Sequence, residues 1–177
     1  MTPVATFAGG CFWCLEAAFR RLAGVRRVVS GYTGGHLPDP DYRAVCGGDT
    51  GHAEAVRIEY DPATIDYPTL LEVFFALHDP TTLNRQGHDV GTQYRSAIYF
   101  HDDAQRDTAR AAIAALDASG RFADPVVTEL APASTFYPAE DEHQGYFDAH
   151  PYAPYCQAVI TPKLRKLLGD FPDRLAK

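Results

Sequence analysis

The feature that most limits the fold is the order in which extended and helical patterns alternate along the chain. Thr2–Ala8 is a short apolar run that passes through Gly9-Gly10 into a segment with Leu15, Ala18, Phe19 and Leu22 at helical spacing, closed by Gly24. Val25–Tyr32 and Ala53–Tyr60 read as strands, the second setting Val56, Ile58 and Tyr60 against Ala55, Arg57 and Glu59. Tyr67–His78 has Pro68 in its first turn and an apolar face of Leu70, Leu71, Phe74, Phe75 and Leu77. Thr81–Gln93 reads as polar loop, Arg95–His101 as a strand, Asp102–Ser119 as an alanine-rich helix stopped by Gly120, and Pro125–Leu130 as a further strand. This β-α-β-β-α-β order, with additions, predicts an α/β (α+β) fold. The expected form is a ferredoxin-like, split β-α-β sandwich with two helices over one face of a mostly antiparallel sheet. Beyond Ala149, Pro151, Pro154 and Pro162 predict a long irregular C-terminal tail, with a short helix at Lys163–Leu168.

No repeat or linker interrupts the 177 residues, so residues 1–177 are expected to form a single catalytic domain, with a core of about 3–148 and a tail of about 149–177. The 16 basic and 23 acidic residues leave a net charge of −7 with no basic run, which argues against nucleic acid and anionic lipid as partners. The first ten residues lack the positive start and long apolar stretch of an export signal. Apolar clusters such as Val73–Leu77 fall far below the roughly 20 residues a bilayer requires. A cytoplasmic monomer is the expectation. In that reducing compartment the four cysteines, Cys11, Cys14, Cys46 and Cys156, are catalytic, metal-bound or simply buried before they are structural disulfides.

The densest chemical signal is Gly9-Gly10-Cys11-Phe12-Trp13-Cys14, where a strand hands over to a helix. A cysteine in the first helical turn meets unpaired backbone N–H groups and the positive end of the helix dipole, which favour the thiolate and lower its pKa. Cys11 is therefore a candidate nucleophile, with Gly9 and Gly10 allowing a sharp turn and close approach of a substrate. Other readings of the same residues are a buried thiol pair beside core aromatics and a Cys-His hydrolase pair. A thioredoxin-like dithiol of Cys11 and Cys14, and a Cys₃His metal set adding Cys46 and His52, are further alternatives. The wide Cys46–His52 spacing and the bulky Phe12-Trp13 pair count against metal, and two large apolar faces beside the nucleophile suit a small hydrophobic group on the substrate.

Two loops carry polar residues suited to recognition, Asp41–Glu54 and Thr81–Ser96. Tyrosine hydroxyls and a carboxyl beside an apolar pocket bind a polarised oxygen, and a buried carboxyl with a raised pKa stays protonated and donates that proton. Glu54 is the candidate acid, against the plainer reading of a surface carboxylate. Tyr42 and Tyr94 are candidates for the hydroxyls, against ordinary packing at strand ends.

Taken together, Gly10–Cys14, Thr50–Glu54, His78–Thr82, Asp89–Ser96 and Glu142-His143-Gln144 resemble the peptide methionine sulfoxide reductase A family over Val4 to about Lys166. The resemblance implies reduction of the S epimer of methionine sulfoxide, free or in oxidised proteins, with no metal and no bound organic cofactor. It implies Cys11 as nucleophile and Glu54 as the acid that protonates the sulfoxide oxygen. Tyr42 and Tyr94 would hydrogen-bond that oxygen, and Asp89 would help to order the site. Phe12, Trp13, Gly10 and His143 would bind substrate. Attack leaves a sulfenic acid on Cys11, which a resolving thiol converts to a disulfide that thioredoxin, as external dithiol reductant and partner, reopens. Cys156, in a proline-rich Tyr-Cys segment, is the favoured resolving thiol and Cys14 the alternative, leaving Cys46 as a buried thiol near Tyr42. Glu142 stands where the family commonly has an aromatic residue, and His88 where it commonly has asparagine.

Overall fold

The computed structural model describes residues 2–176. β1 (Val4–Ala8) leads through Gly9-Gly10 to α1 (Phe12–Phe19), then β2 (Val25–Thr33), α2 (Tyr42–Cys46), β3 (Ala53–Tyr60) and α3 (Tyr67–Leu77). A small hairpin of β4 (Arg85–Gln86) and β5 (Asp89–Val90) precedes β6 (Ala97–Phe100), α4 (Asp103–Ala118), β7 (Glu129–Pro132) and β8 (Tyr137–Pro138). The chain finishes with α5 (Tyr146–Ala149), a π-helical turn at Cys156–Ile160 and α6 (Thr161–Asp170). Six strands form one sheet in the order β7-β6-β1-β3-β2-β8. Every neighbouring pair is antiparallel except β6 with β7. None of the described helices is long and apolar enough to cross a membrane.

Aspartates start three of the helices. Asp41, Asp66 and Asp102 each accept from the backbone N–H three residues on, at 2.7, 2.9 and 2.8 Å, so an otherwise unpaired amide at each helix start is satisfied. The predicted face of α3 is buried throughout, and Phe74 stacks on Phe7 of β1 at 4.8 Å between ring centres. Burying each such ring stabilises the fold by about 1.5–3 kcal/mol, which outweighs what any one cap supplies. α1 lies against β2 and β3 and touches α5 and α6, so the main core sits between the sheet and these helices. Ala8, Ala53, Ala55, Ala97 and Tyr99 form a second, thinner core on the opposite face, covered by Ala131, Ala133 and Phe136. For that reason the first half of β3 is buried on both faces and departs from simple alternation.

The structure corrects several expectations. The strand expected at Pro125–Leu130 runs instead over Glu129–Pro132, where a parallel ladder with β6 fixes its register. The loop before β3 contains α2, nucleated by the Asp41 cap, and the polar loop at Thr81–Gln93 contains the β4–β5 hairpin and a helical turn at Thr92–Tyr94. The tail is largely helical, because Ile160, Leu164 and Leu167 sit at helical spacing and bury against the core.

Candidate active site

The site is assembled around the junction of β1 and α1. Gly10 has φ +90°, and a Cβ there would lie 2.7 Å from Cγ of Gln86, so the turn admits only glycine without displacing the hairpin. Cys11 caps α1 in extended geometry, and its carbonyl accepts from the Cys14 N–H at 3.1 Å. It therefore stands just before the first turn rather than within it. Burial pushes the Cys11 thiol well above its ordinary value, aided by its contact with Cys14 and the charge of Glu54. This reverses the lowering expected from the helix dipole: taking the sulfur out of water outweighs the nearby amides. Contact with the Cys11 sulfur brings the neighbouring Cys14 thiol down to about 7, so the two sulfurs lose their first proton as a pair.

Glu54 faces this pair from β3 and is 1% exposed. Its Oε1 accepts from the Phe12 N–H at 3.2 Å, while Oε2 is buried with no partner in the protein. Burial raises its pKa to about 8, and the charges of Asp89 and Cys14 push the same way, so the carboxyl holds its proton at neutral pH. The plainer reading of Glu54 as a surface carboxylate does not hold. Burial, with the charge of Glu54, also keeps Tyr42 and Tyr94 protonated well above the usual tyrosine range.

The aromatic wall is continuous. Phe12 is fully buried, with its ring stacked on Tyr42 at 6.2 Å, and Trp13 stacks on Tyr146 at 3.8 Å with planes 10° apart. Trp13 Nε1–H donates to Nδ1 of His143 at 3.2 Å. Asp89 accepts from Tyr155 O–H at 2.7 Å, and that hydroxyl lies 3.9 Å from the Cys14 sulfur. Cys11, Cys14, Phe12, Trp13, Tyr42, Glu54, Asp89, Tyr94 and His143 are thus linked through contacts or through the charges they feel from one another.

The other cysteines are less direct. Cys156 has no exposed surface, and burial and then the charge of Cys14 raise its thiol. Cys46 is exposed at the end of α2 and not buried as expected. A Cys₃His site is ruled out by His52: its Nδ1 accepts from Gly35 N–H at 3.0 Å, and its Nε2–H donates to the Leu37 carbonyl at 2.7 Å. Among the described residues one potential ligand cluster of three occurs, Glu140, Glu142 and His143. Glu140 there is already committed, accepting from Tyr32 O–H and Tyr42 N–H, both at 2.9 Å. Sequence reasoning missed Glu140, Tyr146 and Tyr155; the last stands beside Cys156 in the Tyr-Cys segment, a signal that was available.

The chain matches the family model described as Peptide methionine sulfoxide reductase over residues 3–174. Peptide methionine sulfoxide reductase MsrA of Chromobacterium violaceum is 63% identical over 171 residues, 97% of each chain. Among solved structures the fold is similar to that of Mxr1 from Saccharomyces cerevisiae in reduced form, with TM-score 0.77 and 36% identity over 87% of this chain and 88% of that one. Mxr1 in complex with Trx2 is also similar, with TM-score 0.53 and 25% identity over 81% and 84% of the two chains. By a match that spans nearly its whole length and by the identity of its relatives, this chain belongs to the peptide methionine sulfoxide reductase family.

Proposed function

We propose that the chain is a peptide-methionine (S)-S-oxide reductase acting on free and protein-bound methionine sulfoxide, and so a protein-repair enzyme. The observation that carries this reading is the buried Glu54, whose Oε1 accepts from the backbone N–H of Phe12, the residue after Cys11, while its Oε2 is left without a partner. A sulfoxide sulfur becomes electrophilic once its oxygen is protonated or strongly hydrogen-bonded. Glu54 gives its proton to that oxygen, with Tyr42 and Tyr94 donating hydrogen bonds to it, while Phe12, Trp13, Gly10 and His143 hold the substrate's methyl end. Asp89 orders the site through Tyr155.

The Cys11 proton passes to the ionised Cys14 sulfur, and the Cys11 thiolate so formed attacks the sulfoxide sulfur. The sulfur–oxygen bond breaks, and the oxygen ends on Cys11, leaving methionine and one sulfenic acid. A second thiol then displaces water from that sulfenic acid to form a disulfide, and an external dithiol takes the oxidation by exchange. Cys156 is the proposed resolving thiol and Cys14 the alternative; Cys156 feels the charge of Cys14, and Cys14 ionises more readily. The Mxr1 complex with Trx2 supports thioredoxin as that dithiol. Neither metal nor bound organic cofactor is needed by this sequence of steps.

The strand order β6-β1-β3-β2 within the sheet supports a ferredoxin-like, split β-α-β plan, with β1 between β3 and β6 and β3 between β1 and β2. We read residues 1–177 as a single catalytic domain working as a cytoplasmic monomer, with a core of about 3–148 and a tail of about 149–177. The test is turnover of each methionine sulfoxide epimer with dithiothreitol. The S epimer alone should be reduced, and Cys11→Ser should be inactive; equal turnover of both epimers, or an active Cys11→Ser, overturns the reading.

A further inference from the structure

Glu16 lies one turn beyond Trp13 on α1 and is only 3% exposed, a costly place for a carboxyl. Both of its oxygens accept from one backbone donor, Gly145 N–H, at 2.8 and 3.0 Å. Gly145 is left-handed, with φ 66° and ψ 27°, and it begins α5 without any side-chain cap. Tyr146, whose ring covers Trp13, is the next residue.

We propose that Glu16 is a positioning residue for the substrate pocket: by holding Gly145 it sets the Tyr146 ring against Trp13. This rests on the reading of Trp13 as part of the pocket for the sulfoxide's methyl group. Three neighbours of Gly145 have their own anchors. His143 accepts from Trp13, and Gln144 brackets Ser30 by accepting from its N–H at 3.0 Å and donating to its carbonyl at 2.8 Å. Asp148 pairs with Arg21 at 2.8 Å, an exposed contact of small worth. Four residues are too few for α5 to hold its own shape. An open cleft of about 570 Å³ is lined by Glu16, Arg20, Gln144, Gly145 and Asp148, so Glu16 is what holds Gly145 on that side, while within α5 His150 lies against Tyr146 at 4.7 Å between ring centres. The buried tie between the Gln144 anchor and the Tyr146 ring is therefore Glu16. Arg20, one turn further along α1, partly offsets the burial of the carboxyl.

Trp13 is the only tryptophan in the chain, so its emission reports the stack directly. Glu16→Leu keeps the bulk but offers no acceptor, whereas the Glu16→Gln carbonyl still accepts from Gly145. Glu16→Leu should raise KM for the S epimer by roughly five- to 150-fold, the range expected when a buried donor is orphaned. Its single-turnover rate at saturation should stay within about twofold, and Trp13 emission should shift red and quench more readily with acrylamide. Glu16→Gln should keep KM within about threefold and restore the emission. A Glu16→Leu protein with a lowered melting temperature but wild-type KM and emission would reduce Glu16 to a structural residue and overturn the proposal. A measurement on the wild type stands apart from both variants: slow exchange is expected for the Gly145 amide hydrogen, and fast exchange in the intact fold refutes the tie. Wild-type protein that fails to reduce the S epimer would remove the enzymatic reading, while the emission and exchange results would still decide whether Glu16 sets the stack.

Discussion

Glu54→Gln separates the acid's cost to the fold from its use in the reaction. Burial lifts the Glu54 pKa from 4.5 to about 8, so folding traps a proton that the unfolded chain gives up near pH 4.5. A folded value above the unfolded one means the contribution to stability is fully present below pH 4.5 and is lost as pH rises through 8. Each pH unit in that interval removes about 1.4 kcal/mol, on the order of 5 kcal/mol in all, comparable to the whole stability of a marginal domain. Glutamine keeps the acceptor for Phe12 N–H and never ionises, so the variant should lack this slope. The assay is urea denaturation of reduced protein at several pH values from 5 to 8.5. Cys14, with its pKa lowered to about 7, acts in the opposite direction above neutrality, but it is present in both proteins, and only its coupling to the Glu54 charge remains in their difference. The variant should be less stable than, or equal to, wild type at pH 5 and clearly more stable at pH 8.5. In single turnover it should reduce sulfoxide about 10²- to 10⁴-fold more slowly, the usual worth of a positioned acid. The wild-type rate should rise as the thiol pair ionises near pH 7 and fall as Glu54 ionises near pH 8, the variant losing the alkaline fall. Parallel stability slopes in the two proteins, or an unaltered single-turnover rate, would refute the reasoning.

With thioredoxin as reductant, Cys156→Ser should stall after one turnover while Cys14→Ser continues; the reverse pattern in a steady-state assay assigns resolution to Cys14. Glu140→Ala removes the acceptor shared by Tyr32 O–H and Tyr42 N–H and should cost about 2–4 kcal/mol in urea titration; a loss below about 1 kcal/mol would show that α2 is held by other contacts. Gly10→Ala must place a side chain at φ +90° against Gln86, and should lose about 1–2 kcal/mol and slow the attack by Cys11. Wild-type stability and single-turnover rate for that protein would mean the turn tolerates a side chain.

Regular, strongly patterned segments were legible in the sequence. α3, α4 and β3 follow from spacing and caps because each buries a face that local periodicity encodes. α2 and the β4–β5 hairpin were not, since five or fewer residues carry no period and their shapes come from an Asp41 cap and partners elsewhere. β7 was displaced because its ladder with β6 chooses the register, and Val126 and Val127 carry more strand character than the residues that pair. In the site, Cys11 and Glu54 could be named from position, but the direction of the Cys11 shift could not, because burial is a property of the whole fold. Glu16, Glu140 and Tyr155 act across 129, 108 and 66 residues of chain respectively, distances over which one sequence carries no pairing signal.

The bond from Phe12 N–H to Glu54 has a mechanical consequence. The residue that donates it follows Cys11 directly, so the proton source and the sulfur nucleophile are surveyed from one benchmark on the backbone. The bond ties the carboxyl of β3 to the first turn of α1, so the proton source and the nucleophile keep one spacing across the breaking sulfur–oxygen bond. A catalyst that must meet its target in many unrelated sequences gains from this: the reacting pair stays in gauge whatever polypeptide carries the sulfoxide.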